Sequence, residues 1–404
     1  MRATIVIPSY WARESSESLN LNDAVYDHPT PLDAESTLDR ALESIDVLEN
    51  RDFNVIVLAC ATNPDVYDAV ERHVNDITAK HRSKYPVKVI SHSFESKTRA
   101  RIAAVTGDDV AELISLTGYS NIRNMCLVAA ELARSEVAVL FDDDEVYEDS
   151  KYLDKVFETI DSEYGGKPVR VVAGYYQQPD GSYLLPPPEE YWMTEWPMVP
   201  LMNEAFKIIG EEPRVKLTPF VFGGNMVIHR DVFRTISFDP NVRRGEDIDY
   251  LTNCKFFDID FVLDRELAIR HLPPPKTHVP PWQHFRENIY RFVYAREKIR
   301  RQAPGKALRM VDISELDPYP GKCMRDDLED MIFKTSVLMG LMYGRLDDQF
   351  GFNESMKNIH LARYDAPPGH DPFEWYIECR SRWEKLMELL SADDALSRDV
   401  LSGL

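Results

Sequence analysis

Asp142-Asp143-Asp144, followed directly by Glu145, is the part of this chain best equipped for chemistry. Adjacent carboxylates are hard oxygen donors that suit Mg²⁺ or Mn²⁺, and such ions commonly hold substrate phosphates as well. Like charges this close are costly to bury without a cation. A solvated acidic loop is the competing reading, and the run alone does not separate the two. Three other places can join it. Gly118-Tyr119-Ser120-Asn121-Ile122-Arg123-Asn124 opens a helix that Ser120 or Asn121 is placed to cap. Its N-terminus, with Arg123, is either an anion seat or a plain capped helix. Gly245-Glu246-Asp247 either starts a helix with acids in its first turn or supplies a carboxylate base beside Gly223-Gly224-Asn225. His271, at a strand end, becomes a credible ligand only near a carboxylate-bound metal.

The elements around these residues must place them together. Val137–Phe141 is an apolar run and reads as a buried strand. The acids then sit at its carboxyl end, where open α/β sheets bind ligands. Thr4–Ile7, stopped by Pro8, Asn54–Ala59 and Val87–Ile90 read as further strands. They alternate with helical stripes over Leu38–Leu48, Val66–Ile77 and Ile122–Ala133. Such alternation predicts an α/β fold, a mostly parallel sheet with helices on its faces. Val221–His229 and Phe261–Ile269 add strand signals. Residues 177–219, with Pro186-Pro187-Pro188, Tyr191, Trp192 and Trp196, break the pattern. They read as an insertion, either a functional loop over the sheet edge or an arm packed on its own aromatics. Pro273-Pro274-Pro275 marks a boundary, giving domains 1–275 and 276–404, the second helical.

Composition narrows the class. The 404-residue chain is 44% hydrophobic, enough for a large core, and its net charge of −21 argues against nucleic acid as a partner. Its five cysteines are scattered without CxxC spacing, as expected of reduced residues in a cytoplasmic protein. No apolar run reaches membrane-spanning length, and the N-terminal apolar stretch is too short for a signal peptide. A homodimer is compatible with all of this.

Taken in order, the motifs resemble the GT-A glycosyltransferases, most closely the family 2 nucleotide-sugar transferases. The residues that carry the resemblance are Ile5-Val6-Ile7-Pro8-Ser9-Tyr10, then Gly118, Arg123 and Asn124, then Asp142 and Asp144 as a DxD motif. Gly223-Gly224-Asn225, Glu246-Asp247 as an ED motif and His271 complete the set. The resemblance covers the chain to about residue 275. It implies a Rossmann-like GT-A domain, here followed by a helical C-terminal region. It also implies a UDP- or GDP-sugar donor, a small-molecule or glycan acceptor, and Mg²⁺ or Mn²⁺ on Asp144, His271 and Asp142. Pro8, Tyr10, Arg123, Asn124, Asp142, Asp143 and Gly224 would line the nucleotide-sugar site. Asp247, with Glu246, would supply the base of an inverting transfer. One departure concerns the nucleotide base: the second strand ends Leu58-Ala59-Cys60-Ala61-Thr62-Asn63, with no acid before Asp65.

Other readings stand beside this one. They are a retaining GT-A enzyme making a small glycoside of compatible-solute type, a non-catalytic nucleotide-sugar-binding module, and a metal-dependent hydrolase or nucleotidyltransferase. In the segment His278–His284, Trp282 reads as a lid over the donor or as a hydrophobic staple. Arg286, Arg291, Arg296, Lys298, Arg300 and Arg301 make the next helix basic. That helix could meet a phosphorylated acceptor or an anionic membrane, or simply pair with the protein's own acids.

Overall fold

Ten consecutive buried residues, Ala3–Ala12, form strand β1 at the heart of the sheet. The structure, a computed structural model, describes residues 1–16, 23, 24, 26, 27, 29–274 and 280–402. The expected 275/276 boundary and the segment His278-Val279 fall outside the described residues. In chain order the first half continues with α1 (Thr37–Ser44), β2 (Phe53–Ala61), α2 (Tyr67–Ala79), β3 (Val87–Ile90) and α3 (His92–Thr106). Then come α4 (Tyr119–Leu132), β4 (Val137–Leu140), β5 (Glu145–Val146), α5 (Tyr152–Ile160) and β6 (Val171–Gln177). The second half holds α6 (Met198–Phe206), β7 (Val215–Leu217), β8 (Met226–His229), α7 (Glu246–Phe256) and β9 (Val262–His271). Helices α8 (Pro281–Arg300), α9 (Leu328–Arg345), α10 (Gln349–Tyr364), α11 (Pro372–Ala392) and α12 (Asp394–Leu401) follow.

The main sheet runs β7-β9-β6-β8-β4-β1-β2-β3. Strands β3, β2, β1 and β4 are parallel, as the alternating pattern predicts. Strand β8 enters antiparallel between β4 and β6, which adds a mixed portion to the sheet beside its parallel strands. Alternate residues face opposite layers. Ile5, Ile7, Val55, Val57, Val137 and Val139 pack with Leu38, Leu42, Val70, Val74, Leu153 and Val156 of α1, α2 and α5. Val6, Ile56, Leu58, Ala138 and Leu140 pack with Ile122, Met125 and Cys126 of α4, in a cluster that extends to Tyr376 and Trp383 of α11. The C-terminal helices therefore share this core.

Three expectations change. Pro8 does not stop β1, which pairs with β2 through Trp11. Val6 O accepts from Phe141 N, so Pro8, two residues on, faces the same side, where β4 has already ended. The missing N–H costs no ladder bond there. Residues 177–219 form more than a loop, since they include α6 and β7, a strand added at the sheet edge. Their tryptophans pack on α8 rather than on one another, with Trp196 and Phe285 edge to face at 4.9 Å. Strand β6 carried no signal singled out in the sequence.

All five cysteines are buried and free. Among the described residues no helix is long and apolar enough to cross a membrane.

One buried ion cluster ties α8 to the domain core. Lys298 Nζ lies 2.7 Å from Asp239 and 2.7 Å from Asp249 of α7. It also lies over the ring of Tyr376, 4.7 Å from its centroid. Lys298→Ala would strand two buried carboxylates, a class of change that costs about 3–5 kcal/mol. Urea denaturation should show a loss of that size; a loss below about 1 kcal/mol would mean the cluster does not anchor the helix.

Candidate functional site

The acidic run leaves the sheet where β4 ends. Phe141 N still donates to Val6 O, and the chain then turns at Asp142. Asp142 N donates to Glu145 Oε2 at 2.9 Å, and Glu145 N donates back to Asp142 O at 3.2 Å. This reciprocal pair locks the turn and sends the three aspartates to different partners.

Asp142 accepts two hydrogen bonds from Arg123, from Nη1 at 2.7 Å and Nη2 at 3.0 Å. Asp143 accepts from Ser9 Oγ at 2.6 Å and is tied to β1. Burial and the adjacent Asp144 push its carboxyl well above the usual carboxylate range. Asp144 Oδ2 faces His271 Nε2 at 3.3 Å. The end of β9 pairs with β5, placing His271 opposite Glu145, and Leu272 N donates to Asp144 O at 2.8 Å. The His271 ring stacks on Tyr176, with centroids 5.3 Å apart. Glu145 is fully buried, and burial together with Asp142 and Asp144 raises its pKa well above normal.

Arg123 is 4% exposed and also reaches Glu246, with Nε 3.4 Å from Oε1. It thus joins the two acidic segments. Two glycines make room for this. A Cβ on Gly223 would meet Arg123 Nη2 at 2.7 Å, and one on Gly224 would meet Glu145 Oε1 at 2.4 Å and Asp142 at 2.7 Å. Gly245, with φ of +72°, supplies the left-handed residue that starts α7. Glu246 and Asp247 occupy the first turn of that helix, where its dipole favours acids. Both carboxyls are nonetheless pushed up, chiefly by burial; Asp247 adds to the shift at Glu246, while Arg291 and Arg123 oppose the shift at Asp247.

A cleft of about 330 Å³ opens over these groups. It is lined by Tyr10, Arg123, Asp142, Asp143, Asp144, Glu246, Asp247 and His271, all expected site residues. Pro8, Asn124 and Gly224 do not line it. Asn124 exchanges hydrogen bonds with the backbone of Phe238 at 2.8 and 3.0 Å and is a structural clamp, not a nucleotide contact. Gly224 sits behind the cleft as a spacer. Neither Ser120 nor Asn121 caps α4: Gly118 takes the N-cap position, Ser120 Oγ donates to Val242 O, and Asn121 Nδ2 to Thr117 O. Arg123, neutralised by two carboxylates, is not an open anion seat. Trp282 does not line the cleft; it packs edge to face on Phe350 at 5.9 Å, with Arg286 over its ring.

The sequence pattern missed several lining residues, among them Tyr119, Tyr176, Phe222, Arg244, Arg291 and Tyr319. Arg291 carried a signal through its basic helix, and Tyr119 lay within the Gly118–Asn124 stretch without being singled out. Tyr10, Tyr26 and Tyr119 form a ring cluster with centroids 4.6–5.6 Å apart, at the end of β1. Just past the second strand, Asn63 Nδ2 donates to Asp23 Oδ1 at 2.7 Å.

No protein-family profile matches the chain, and no curated protein matches it. Solved structures do. One is the mannosyltransferase PcManGT from Pyrobaculum calidifontis in complex with GDP-Man and Mn²⁺, at 11% identity and a TM-score of 0.47, covering 98% of this chain and 88% of that one. A mycobacterial protein aligns at 15% identity and a TM-score of 0.39, covering 72% of each chain. GalNAc-T7 with UDP, GalNAc and Mn²⁺ aligns at 13% identity and a TM-score of 0.34, covering 86% of this chain and 58% of that one.

The glycine spacing is testable by itself. Gly224→Ala forces a methyl group into Glu145 and Asp142 and should destabilise the protein by about 1–3 kcal/mol, as overpacking generally does. An unchanged denaturation midpoint would show that the turn yields freely.

Proposed function

We propose that the protein is a divalent-metal-dependent glycosyltransferase. It would move a sugar from a nucleotide diphosphate-sugar to an acceptor hydroxyl with inversion. The observation that supports this best is the convergence of Asp144 and His271 with Glu246 and Asp247 on one cleft.

The donor set suits the ion. Asp144 and His271 offer oxygen and nitrogen 3.3 Å apart, with side chains 13% and 24% exposed. No group of three or more His, Cys, Asp or Glu placed to hold a metal occurs among the described residues. Two protein donors fit an ion whose remaining positions are taken by substrate phosphate and water. Asp142, expected as a third ligand, has both oxygens engaged by Arg123 and in this reading orients its neighbours. When bound, the metal supplies charge neutralisation for the departing diphosphate.

The chain's own residues supply the rest. Asp247 accepts the proton of the acceptor hydroxyl as that oxygen bonds to the anomeric carbon. The anomeric carbon–phosphate oxygen bond breaks, and the nucleoside diphosphate leaves. Burial raises the Asp247 pKa, making it a stronger base than an exposed carboxylate. Glu246 keeps Arg123 engaged and adds a like charge beside the base. Tyr119, Phe206 and Phe222 give the cleft an aromatic wall.

A panel of UDP- and GDP-sugars with Mn²⁺ tests the reading: the wild type should release nucleoside diphosphate, and pyrophosphate release or no binding would sink it. Asp144→Ala and His271→Ala should each abolish metal-dependent turnover. Asp247→Asn should lower kcat by about 10²–10⁴-fold with donor binding retained. NMR of the product should show the opposite anomeric configuration to the donor; retention would remove Asp247 as base. Rates should also climb with pH through an acid limb above the usual carboxylate range, because the pair must lose its proton. Glu246 and Asp247 titrate together, under Arg123 and Arg291. Glu246→Gln removes the neighbouring negative charge and should move that limb to lower pH.

A further inference from the structure

Six Lys and Arg residues lie on helix α8 or at its C-cap, and five of them form ion pairs with carboxylates. Arg286 meets Glu354 at 2.9 Å, Arg296 meets Glu329 at 2.9 Å, and Lys298 meets Asp239 and Asp249. Arg300 and Arg301 meet Glu297 at 3.6 and 3.5 Å. Arg291 is the exception: among the described residues no carboxylate lies within 4.0 Å of it. In a chain of net charge −21 this is the reverse of what chance pairing would give.

Its setting is specific. The guanidinium lies over Gly245, where a Cβ would come within 2.2 Å of Nε, so the glycine keeps the space open. Nη2 donates to Tyr319 Oη at 2.8 Å, and the group lies 4.9 Å from the Phe292 ring centroid. Both Arg291 and Tyr319 line the cleft that holds Asp247. Asp247 offsets part of its charge from beyond contact distance, while the part-buried guanidinium makes its side-chain hydrogen bond to a neutral group, the Tyr319 hydroxyl. Arg291 retains unused N–H groups for a bidentate contact, and the Tyr319 O–H, which accepts from Arg291, is left to donate.

We propose that Arg291 and Tyr319 form the seat for an anionic group on the acceptor, a carboxylate or a phosphate, holding its nearby hydroxyl at Asp247. This rests on the glycosyltransferase reading above and names the acceptor class for it. The seat belongs to the acceptor rather than to the donor diphosphate because Arg291 covers the turn that carries Asp247. The proposed metal pair, Asp144 and His271, lies instead at the ends of β4 and β9.

The full-length protein is assayed with Mn²⁺ and its active donor against glycerol, glyceric acid and glycerol 3-phosphate as neutral, carboxylate and phosphate probes. One anionic probe should far outperform glycerol, and which one does identifies the group. Arg291→Ala should raise the KM for that probe by about 10–100-fold, the worth of a lost charge-assisted contact. The donor KM should stay unchanged, and Arg291→Lys should restore part of the loss. Equal use of glycerol, an unchanged acceptor KM, or a rise in donor KM instead would overturn the proposal. If Arg291→Ala does not fold, Tyr319→Phe should give a smaller rise in the same KM, and no rise would count against the seat. Inorganic phosphate and acetate provide a readout that needs no donor. At least one should raise the Tm of the wild type and not that of Arg291→Ala; a shift present in both or in neither overturns the seat. Failure of the wild type to bind any nucleotide-sugar would instead remove the parent reading.

Discussion

A single guanidinium, that of Arg123, holds together two acidic segments that lie 104 residues apart in the chain (246 − 142 = 104). Buried carboxylates tolerate one another only when a cation or a proton offsets their charge. Arg123 meets that need at Asp142 and Glu246. Glu145 and Asp143 lie beyond its direct contacts, and burial pushes both towards protonation. Asp144 is left to face His271 at the mouth of the cleft. The division of labour among the acids follows from how far one positive charge reaches.

The surrounding fold serves this arrangement. Strand β8 runs antiparallel beside β4, which brings Gly223 and Gly224 to the carboxyl end of β4. There the lack of side chains lets Arg123 and Asp142 approach. Helix α7 then begins at Gly245 with its acids towards the same charge, while Asp249, one turn further on, is fixed from below by Lys298 of α8. The C-terminal region thus braces the helix that carries Asp247, and through Arg291 of α8 and Tyr319 of the connection to α9 it also completes one wall of the cleft.

Much of the architecture was legible because hydrophobic periodicity is a local property. The parallel strands, the helical stripes and the acidic run at a strand end follow from residue types within short windows. Strand β6 and the entry of α6 and β7 into the fold did not follow. Residues 177–219 bury their aromatics against α8, a partner more than 60 residues away (281 − 219 = 62) that no window contains. Pro8 misled for a similar reason: whether a missing N–H matters depends on whether a neighbouring strand is still there to receive it.

Sequence by itself determined which residues could do chemistry here: the aspartate run, the Glu246-Asp247 pair, His271, and the glycines that let a backbone approach. Tertiary structure alone decided which neighbours each one meets. Arg123 reads as an anion seat until Asp142 and Glu246 are found on it, and Asn124 as a ligand contact until its amide is found on Phe238. Arg291 reads as one charge among six until the other five are found paired. Charge and hydrogen-bonding capacity belong to the residue, but whether they are spent inside the protein or left for a substrate depends on neighbours that only folding brings close.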